Sequence, residues 1–285
     1  MIKVLGHRGC RNGKTYENSL KAFRFALEMA DGLETDLIKS ADQDIFMAHD
    51  TDYHGRVVYE LSRHLNKESA QLLQGRRLDE ISSEEARNLC IIDQQNLPSL
   101  QDLDHLCGQF QTRKTINLEL KGPQVADPLL KGLNKTEHLA KHDIIVSSFD
   151  HAQLAQVREL QPTMIIGALF AQPDQEVTKM HPWNHGSEGF YIPFQESYIA
   201  ESTTLRAINP QFFNLEKSLA TDAVIDRVLK YYPDSAFIFW TMGEDDPELN
   251  HDWLRALTGL RHRDKVYAVI SDYPRKTKKL LQSLL

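Results

Sequence analysis

The chain has 285 residues, of which 41% are hydrophobic, and a formal net charge of −7. The acidic balance excludes a dedicated nucleic-acid binder, which would be basic, and three cysteines (Cys10, Cys90, Cys107) without a CxxC pair exclude a disulfide framework. The length suits one α/β barrel of roughly 250 residues carrying insertions.

No Pro/Gly/Ser-rich linker divides the chain, so residues 1–285 are expected to form one domain. The first apolar stretch, Ile2 to Leu5, is far too short for a signal peptide. No run approaches the ~20 apolar residues that cross a bilayer. A cytoplasmic protein without stable membrane insertion is the expectation. The basic cluster Arg275–Lys279, spaced with Leu280, Leu281 and Leu284, reads as the solvated face of a terminal amphipathic helix.

In chain order, the runs that read as strands are Val4-Leu5 with its neighbours, Leu33–Ile38, Ile116–Leu120, Ile144–Ser148, Met164–Leu169, Phe212–Leu215, Ala236–Thr241 and Val266–Ser271. Between them, Ser19–Ala30, Ala152–Leu160 and Thr221–Tyr231 repeat apolar residues at helical spacing, with Asp150 placed to cap the second and Gln153 three residues on. Strands alternating with helices imply a parallel sheet. Eight such units predict closure into a TIM (β/α)8 barrel, with small insertions at its mouth. No GxGxxG follows the first strand, which disfavours a dinucleotide fold. Ile45–Ala48 follows Leu33–Ile38 too closely for a helical crossover and predicts a hairpin or a folded-back extension. Residues 51–78, polar and aperiodic, and residues 171–208, which fit no simple βα unit, read as insertions that shape access to the site.

Chemistry in such a barrel belongs at the C-terminal ends of strands, and His7, Glu34, Asp36 and Glu119 fall at or near such ends. Glu34 and Asp36 are two residues apart and so share one face of a strand. Taken alone, they are better read as partners of Lys39 or Arg8, or as water-facing. With Glu119-Leu120-Lys121 on a later strand, a shared divalent cation becomes the stronger reading, and an all-oxygen set favours Mg²⁺ or Ca²⁺ over zinc. His7 and His49 each join an apolar run to a polar motif and are the candidate proton-transfer pair. Arg8 and Lys121 place positive charge beside the acids, as a phosphate requires, or else balance them internally. Gly13-Lys14-Thr15 mimics the end of a P-loop, but the earlier glycine would fall at Arg8, so the motif is discarded. His105 and His262 lack partners at zinc spacing.

The ordered set Leu5-Gly6-His7-Arg8-Gly9, Glu17-Asn18-Ser19, Gly32-Leu33-Glu34-Thr35-Asp36, Ala48-His49-Asp50, Leu97-Pro98-Ser99-Leu100, Asn117-Leu118-Glu119-Leu120-Lys121, Ser147-Ser148-Phe149-Asp150, Trp240-Thr241 and Ser271-Asp272-Tyr273-Pro274 resembles the glycerophosphodiester phosphodiesterases along nearly the whole chain. The resemblance implies a TIM barrel with an insertion after the second strand. It also implies a divalent metal on Glu34, Asp36 and Glu119, with His7 and His49 as general acid and base. Arg8 and Lys121 would meet the phosphate, Glu17 would support the site, and Phe149 and Trp240 would form an aromatic rim near the glycerol or head group. The implied substrate is a small glycerophosphodiester. Lipid-directed lysophospholipase D or sphingomyelinase D activity, and a non-catalytic phosphodiester-binding barrel, are the competing readings. The sequence departs from the family at Thr51–Arg56, where Arg-Thr-Thr is usual, and around Met242-Gly243, where an asparagine is common.

Overall fold

The computed structural model describes residues 1–11, 16–49, 65–73, 76–92, 94–172, 193–243 and 247–284. Eight parallel strands form the barrel: β1 (Lys3–Gly6), β2 (Gly32–Lys39), β4 (Thr115–Leu120), β5 (Asp143–Ser148), β6 (Ile165–Phe170), β7 (Phe212–Glu216), β8 (Ala236–Met242) and β9 (Val266–Ser271). The ring closes because β1 pairs in parallel with both β2 (Leu5 opposite Gly32) and β9 (Lys3 opposite Ala268). The strand β3 (Ile45–Met47) pairs antiparallel to β2, with Ile38 opposite Phe46, which realises the hairpin expected there.

Period-two alternation divides each strand's side chains between two cores. Leu33, Leu37, Ile116, Leu118, Val146, Ile166, Phe213, Leu215, Phe237 and Phe239 point outward and pack under the helices. Leu5, Ile145, Ile238, Ala268 and Ile270 point inward and fill the barrel. The helices present matching apolar faces. In Leu20–Met29, Ala22, Phe23, Ala26 and Leu27 are buried, and Ser19 caps the first turn by accepting from the Ala22 N–H. Asp150 accepts from the N–H groups of Ala152 and Gln153 at the start of His151–Leu160. The Gln153 side chain does not close a capping box. It bonds the Asp150 carboxylate at 3.1 Å and the Gly122 carbonyl at 2.8 Å, tying this helix to the loop after β4. The terminal helix Pro274–Leu284 buries Pro274, Thr277 and Leu281. None of the described helices is long and apolar enough to cross a membrane.

The two predicted insertions gain structure that their sequences hide. The described part of the first contains the helix Lys67–Leu73 and a 3₁₀ turn at Leu78–Glu80. Such short elements bury too few residues to show a period. Leu65, Leu73, Leu78, Ile81, Leu89 and Leu97 instead form a separate apolar cluster on Ile38 and Phe46. In the second, the helices Glu196–Glu201 and Thr203–Ile208 meet at Ser202, which ends one and caps the other. The break defeats a single helical periodicity, yet Ile199, Leu205 and Ile208 all reach the outer core. The stretch 51–56, where the sequence departs from the family, and residues 173–192 of the second insertion lie outside the described residues.

Candidate active site

The site begins in a tight turn after β1. Gly9 has φ +81°, and a Cβ there would lie 2.6 Å from the carbonyl carbon of Ala22. A Cβ on Gly6 would lie 1.9 Å from the Gly9 oxygen. Neither position has room for a side chain. Arg8 between them is itself left-handed, with φ 48°, a conformation that persists only when its surroundings over-determine it. They do. The Arg8 N–H donates to Glu34 Oε2 at 2.9 Å, Gly9 N–H donates to the Glu34 carbonyl at 3.1 Å, and Asn18 N–H donates to the Arg8 carbonyl at 2.9 Å.

The turn aims the Arg8 guanidinium into the barrel mouth, where Nη1 meets Glu17 Oε1 at 2.5 Å and Nε lies 3.3 Å from Asp36 Oδ2. Arg11 also pairs with Glu17. The internal balance weighed from the sequence therefore exists for Arg8, and Lys39 is not needed for it. Burial disfavours the Arg8 charge, but Asp36, Glu17 and Glu34 outweigh it and hold the guanidinium more firmly protonated than usual.

Glu34 and Asp36 share the inner face of β2, and Asp36 stands opposite Glu119 of β4 in the register. Carboxylate oxygens of Glu34, Asp36 and Glu119 all lie within 4.8 Å of one another. Lys121 Nζ reaches Glu119 at 2.6 Å and Asp36 at 3.6 Å. Asn18, also left-handed, donates from Nδ2 to Asp36 at 3.1 Å and accepts the Thr35 hydroxyl at 2.8 Å. Burial raises the Glu34 pKa well above the carboxylate range, and the like charges of Asp36 and Glu119 add to it. Burial also lifts Glu119, against the pull of Lys121. Asp36 is pushed upward by burial too, yet His49, Arg8, Lys121 and the Asn18 amide together bring it down to about 2.

This donor set fits a hard divalent cation. It is all oxygen, the acids repel one another, and Glu34 Oε1 is buried with no hydrogen-bond partner among the described residues.

The two histidines flank this cluster. His7 follows β1, and its Nδ1 lies 2.6 Å from Asp272 Oδ1, at the end of β9. Burial lowers the His7 pKa below 6.5, Asp272 opposes the shift, and Arg8 adds to it. His49 follows β3 and is half-buried. Ala48 N–H donates to the Asp36 carbonyl at 3.1 Å, which brings His49 close enough for its charge to act on Asp36.

Across the mouth, Phe149 after β5 and Trp240 on β8 meet edge to face at 5.6 Å and pack with Leu169 and Ala171. Lys121 Nζ sits 5.8 Å above the Phe149 ring and so links the two sides. All ten residues singled out from the sequence thus occupy one end of the barrel. Asp272 and Asn18 received no role from the sequence, although both lie in stretches that carry the resemblance. Their signal is position alone, one at a strand end and one before a helix cap.

Comparison with known proteins agrees with this geometry. The Glycerophosphoryl diester phosphodiesterase family matches residues 7–228. A glycerophosphodiester phosphodiesterase of Bacillus altitudinis is 26% identical over 253 residues, covering 83% of this chain and 97% of that protein. One from Caldanaerobacter subterraneus subsp. tengcongensis is 26% identical over 193 residues, 64% of this chain and 70% of that protein. Among solved structures, a putative glycerophosphodiester phosphodiesterase from Galdieria sulphuraria superposes with a TM-score of 0.72 at 22% identity, over 99% of this chain and 98% of that one. An Oleispira antarctica phosphodiesterase in complex with the product sn-glycerol-3-phosphate gives 0.68 at 17%, over 98% and 96%. With the histidines, the acid cluster and the closed parallel barrel in place, the chain belongs to the glycerophosphoryl diester phosphodiesterase family and is a phosphoric diester hydrolase.

Proposed function

We propose that this protein hydrolyses glycerophosphodiesters such as glycerophosphocholine and glycerophosphoethanolamine to glycerol 3-phosphate and an alcohol, and that it requires a divalent cation. The observation that carries this reading is the pair of histidines set around three carboxylates within 4.8 Å of one another, with Arg8 turned onto them. Glu34, Asp36 and Glu119 would hold the cation, which when bound supplies Lewis-acid stabilisation of charge on phosphoryl oxygens. Arg8 and Lys121 neutralise the phosphate from the protein side.

The histidines divide the proton work. His7 is held neutral by burial, and Asp272 fixes its proton on Nδ1, so Nε2 keeps its lone pair for the base. In the first step His7 takes the proton of the glycerol 2-hydroxyl. That oxygen bonds to phosphorus, the bond to the head-group oxygen breaks, and His49, acting in its protonated form, gives its proton to the departing alcohol. In the second step His49 takes a proton from water, the water oxygen opens the cyclic phosphate, and His7 returns its proton to the 2-oxygen. Each residue ends as it began.

The test is release of glycerol 3-phosphate from several diesters by the purified chain, with lysophosphatidylcholine as a lipid control. Activity lost with chelator and restored by Mg²⁺ or Ca²⁺ is the expected result. Turnover unaffected by chelator overturns the metal requirement, and turnover of the lipid alone overturns the substrate class.

A further inference from the structure

We infer that Glu216, at the end of β7, selects diesters whose leaving alcohol carries a positive charge, as choline and ethanolamine do; this rests on the function proposed above. Phe212 belongs to the barrel interior and Phe213 and Leu215 to the outer core, so alternation turns Asn214 and Glu216 inward. Glu216 stands opposite Trp240 in the β7–β8 register, on strands roughly 4.8 Å apart. The Trp240 indole donates from Nε1 to the Asn214 carbonyl at 3.1 Å, which ties the ring to β7 two residues before Glu216.

Glu216 is only 6% exposed, yet among the described residues no basic side chain lies within ion-pair distance of it. A buried carboxylate without a counter-ion is costly. Its structural role accounts for one oxygen. Oε2 caps the 3₁₀ turn Lys217–Leu219 by accepting the Ser218 N–H at 2.8 Å and the Ser218 hydroxyl. Among the described residues, none donates to Oε1.

The position suits a leaving group. Around the ring, β7 is four strands from β2 in either direction, so Glu216 faces the acid cluster across the mouth. The nearby aromatics divide unevenly. Lys121 already occupies a face of Phe149, whereas Trp240 adjoins Glu216. An indole face beside a carboxylate is a chemistry that recognises ammonium groups, including quaternary ones that donate no hydrogen bond. A diester phosphate held near Arg8 would project its alcohol toward this pair.

The test compares kcat/KM on glycerophosphocholine and glycerophosphoethanolamine with that on glycerophosphoglycerol, whose head group is neutral, for the full chain and Glu216→Gln. Choline chloride binding to both proteins is measured by calorimetric titration, which needs no turnover. The wild type should prefer the cationic substrates, and Glu216→Gln should reduce that ratio roughly tenfold, mainly through KM, with a similar loss in choline affinity. Glutamine keeps an oxygen for the Ser218 cap, so the change isolates the charge. Equal losses on all three substrates, or choline affinity unchanged by the substitution, overturn the inference. Choline binding that depends on Glu216 in a protein releasing no glycerol 3-phosphate would sustain it and refute the proposed function instead.

Discussion

The two sides of the barrel mouth are built on different principles. On the β1–β2–β4 side, His7, Arg8, Glu17, Glu34, Asp36, Glu119 and Lys121 crowd together, fixed by a left-handed turn, backbone N–H groups and reciprocal ion pairs. On the β5–β8 side, Phe149, Leu169, Ala171 and Trp240 are held by packing, with Glu216 beside them. Charges that must act on one phosphorus atom tolerate little displacement. An apolar wall tolerates more, because dispersion contacts are many and individually small. The proposed function accordingly assigns chemistry to the first side and recognition to the second.

The sharpest way to break this division is to remove a proton carrier. His7→Ala or His49→Ala should lower kcat by between about 10² and 10⁴-fold in a folded protein. Near-normal turnover from either variant would end the assignment. A milder cut is Asp272→Asn, which leaves the imidazole in place but unanchored, and about a 10- to 100-fold loss is expected. Its pH profile carries a sign. In the proposed mechanism neutral His7 is the base, so activity should fall as pH drops through its lowered pKa. Asp272 pulls that pKa upward against burial, so Asp272→Asn should move the acid limb of kcat/KM to lower pH. A limb that moves the other way would contradict the pairing. On the recognition side, Phe149→Leu should cost about fivefold or less, in KM rather than kcat. A collapse of kcat there would erase the contrast between the two sides.

The smallest effect is on stability. Glu34 has its folded-state pKa raised well above the unfolded 4.5. The folded protein then holds a proton that the unfolded chain releases. The associated stability is fully present below pH about 4.5 and is lost as pH rises toward the folded value. In chelator, Tm of the wild type should decline with pH across that window more steeply than Tm of Glu34→Gln, and divalent cation should raise the wild-type Tm more. Identical slopes would mean the three acids are not electrostatically coupled.

All eight barrel strands were legible in the sequence because each is a short apolar run bounded by polar breaks, and burial on both faces enforces that pattern. The acids and histidines were legible because strand ends place them. What the sequence hid depends on distance across the fold. Asp272 lies 265 residues from His7, and no local pattern links them. Asn18 resembles any residue before a helix cap until its amide is seen on Asp36. Glu216 reads as a strand-end acid, and only the β7–β8 register puts an indole next to it. The short helices of the two insertions were invisible for a simpler reason: each buries one or two residues, too few to set a period.

The bond between His7 and Asp272 also joins the earliest strand to the last one. A nascent polypeptide holds Glu34, Asp36 and Glu119 long before Asp272 has been synthesised, so on the proposed mechanism the acid cluster alone does not make a working enzyme. Turnover must wait for the ring to shut. The same contact makes catalysis a gauge of whether the two extremities of the sheet have found each other, and loosening that seam should weaken turnover while most of the secondary structure survives.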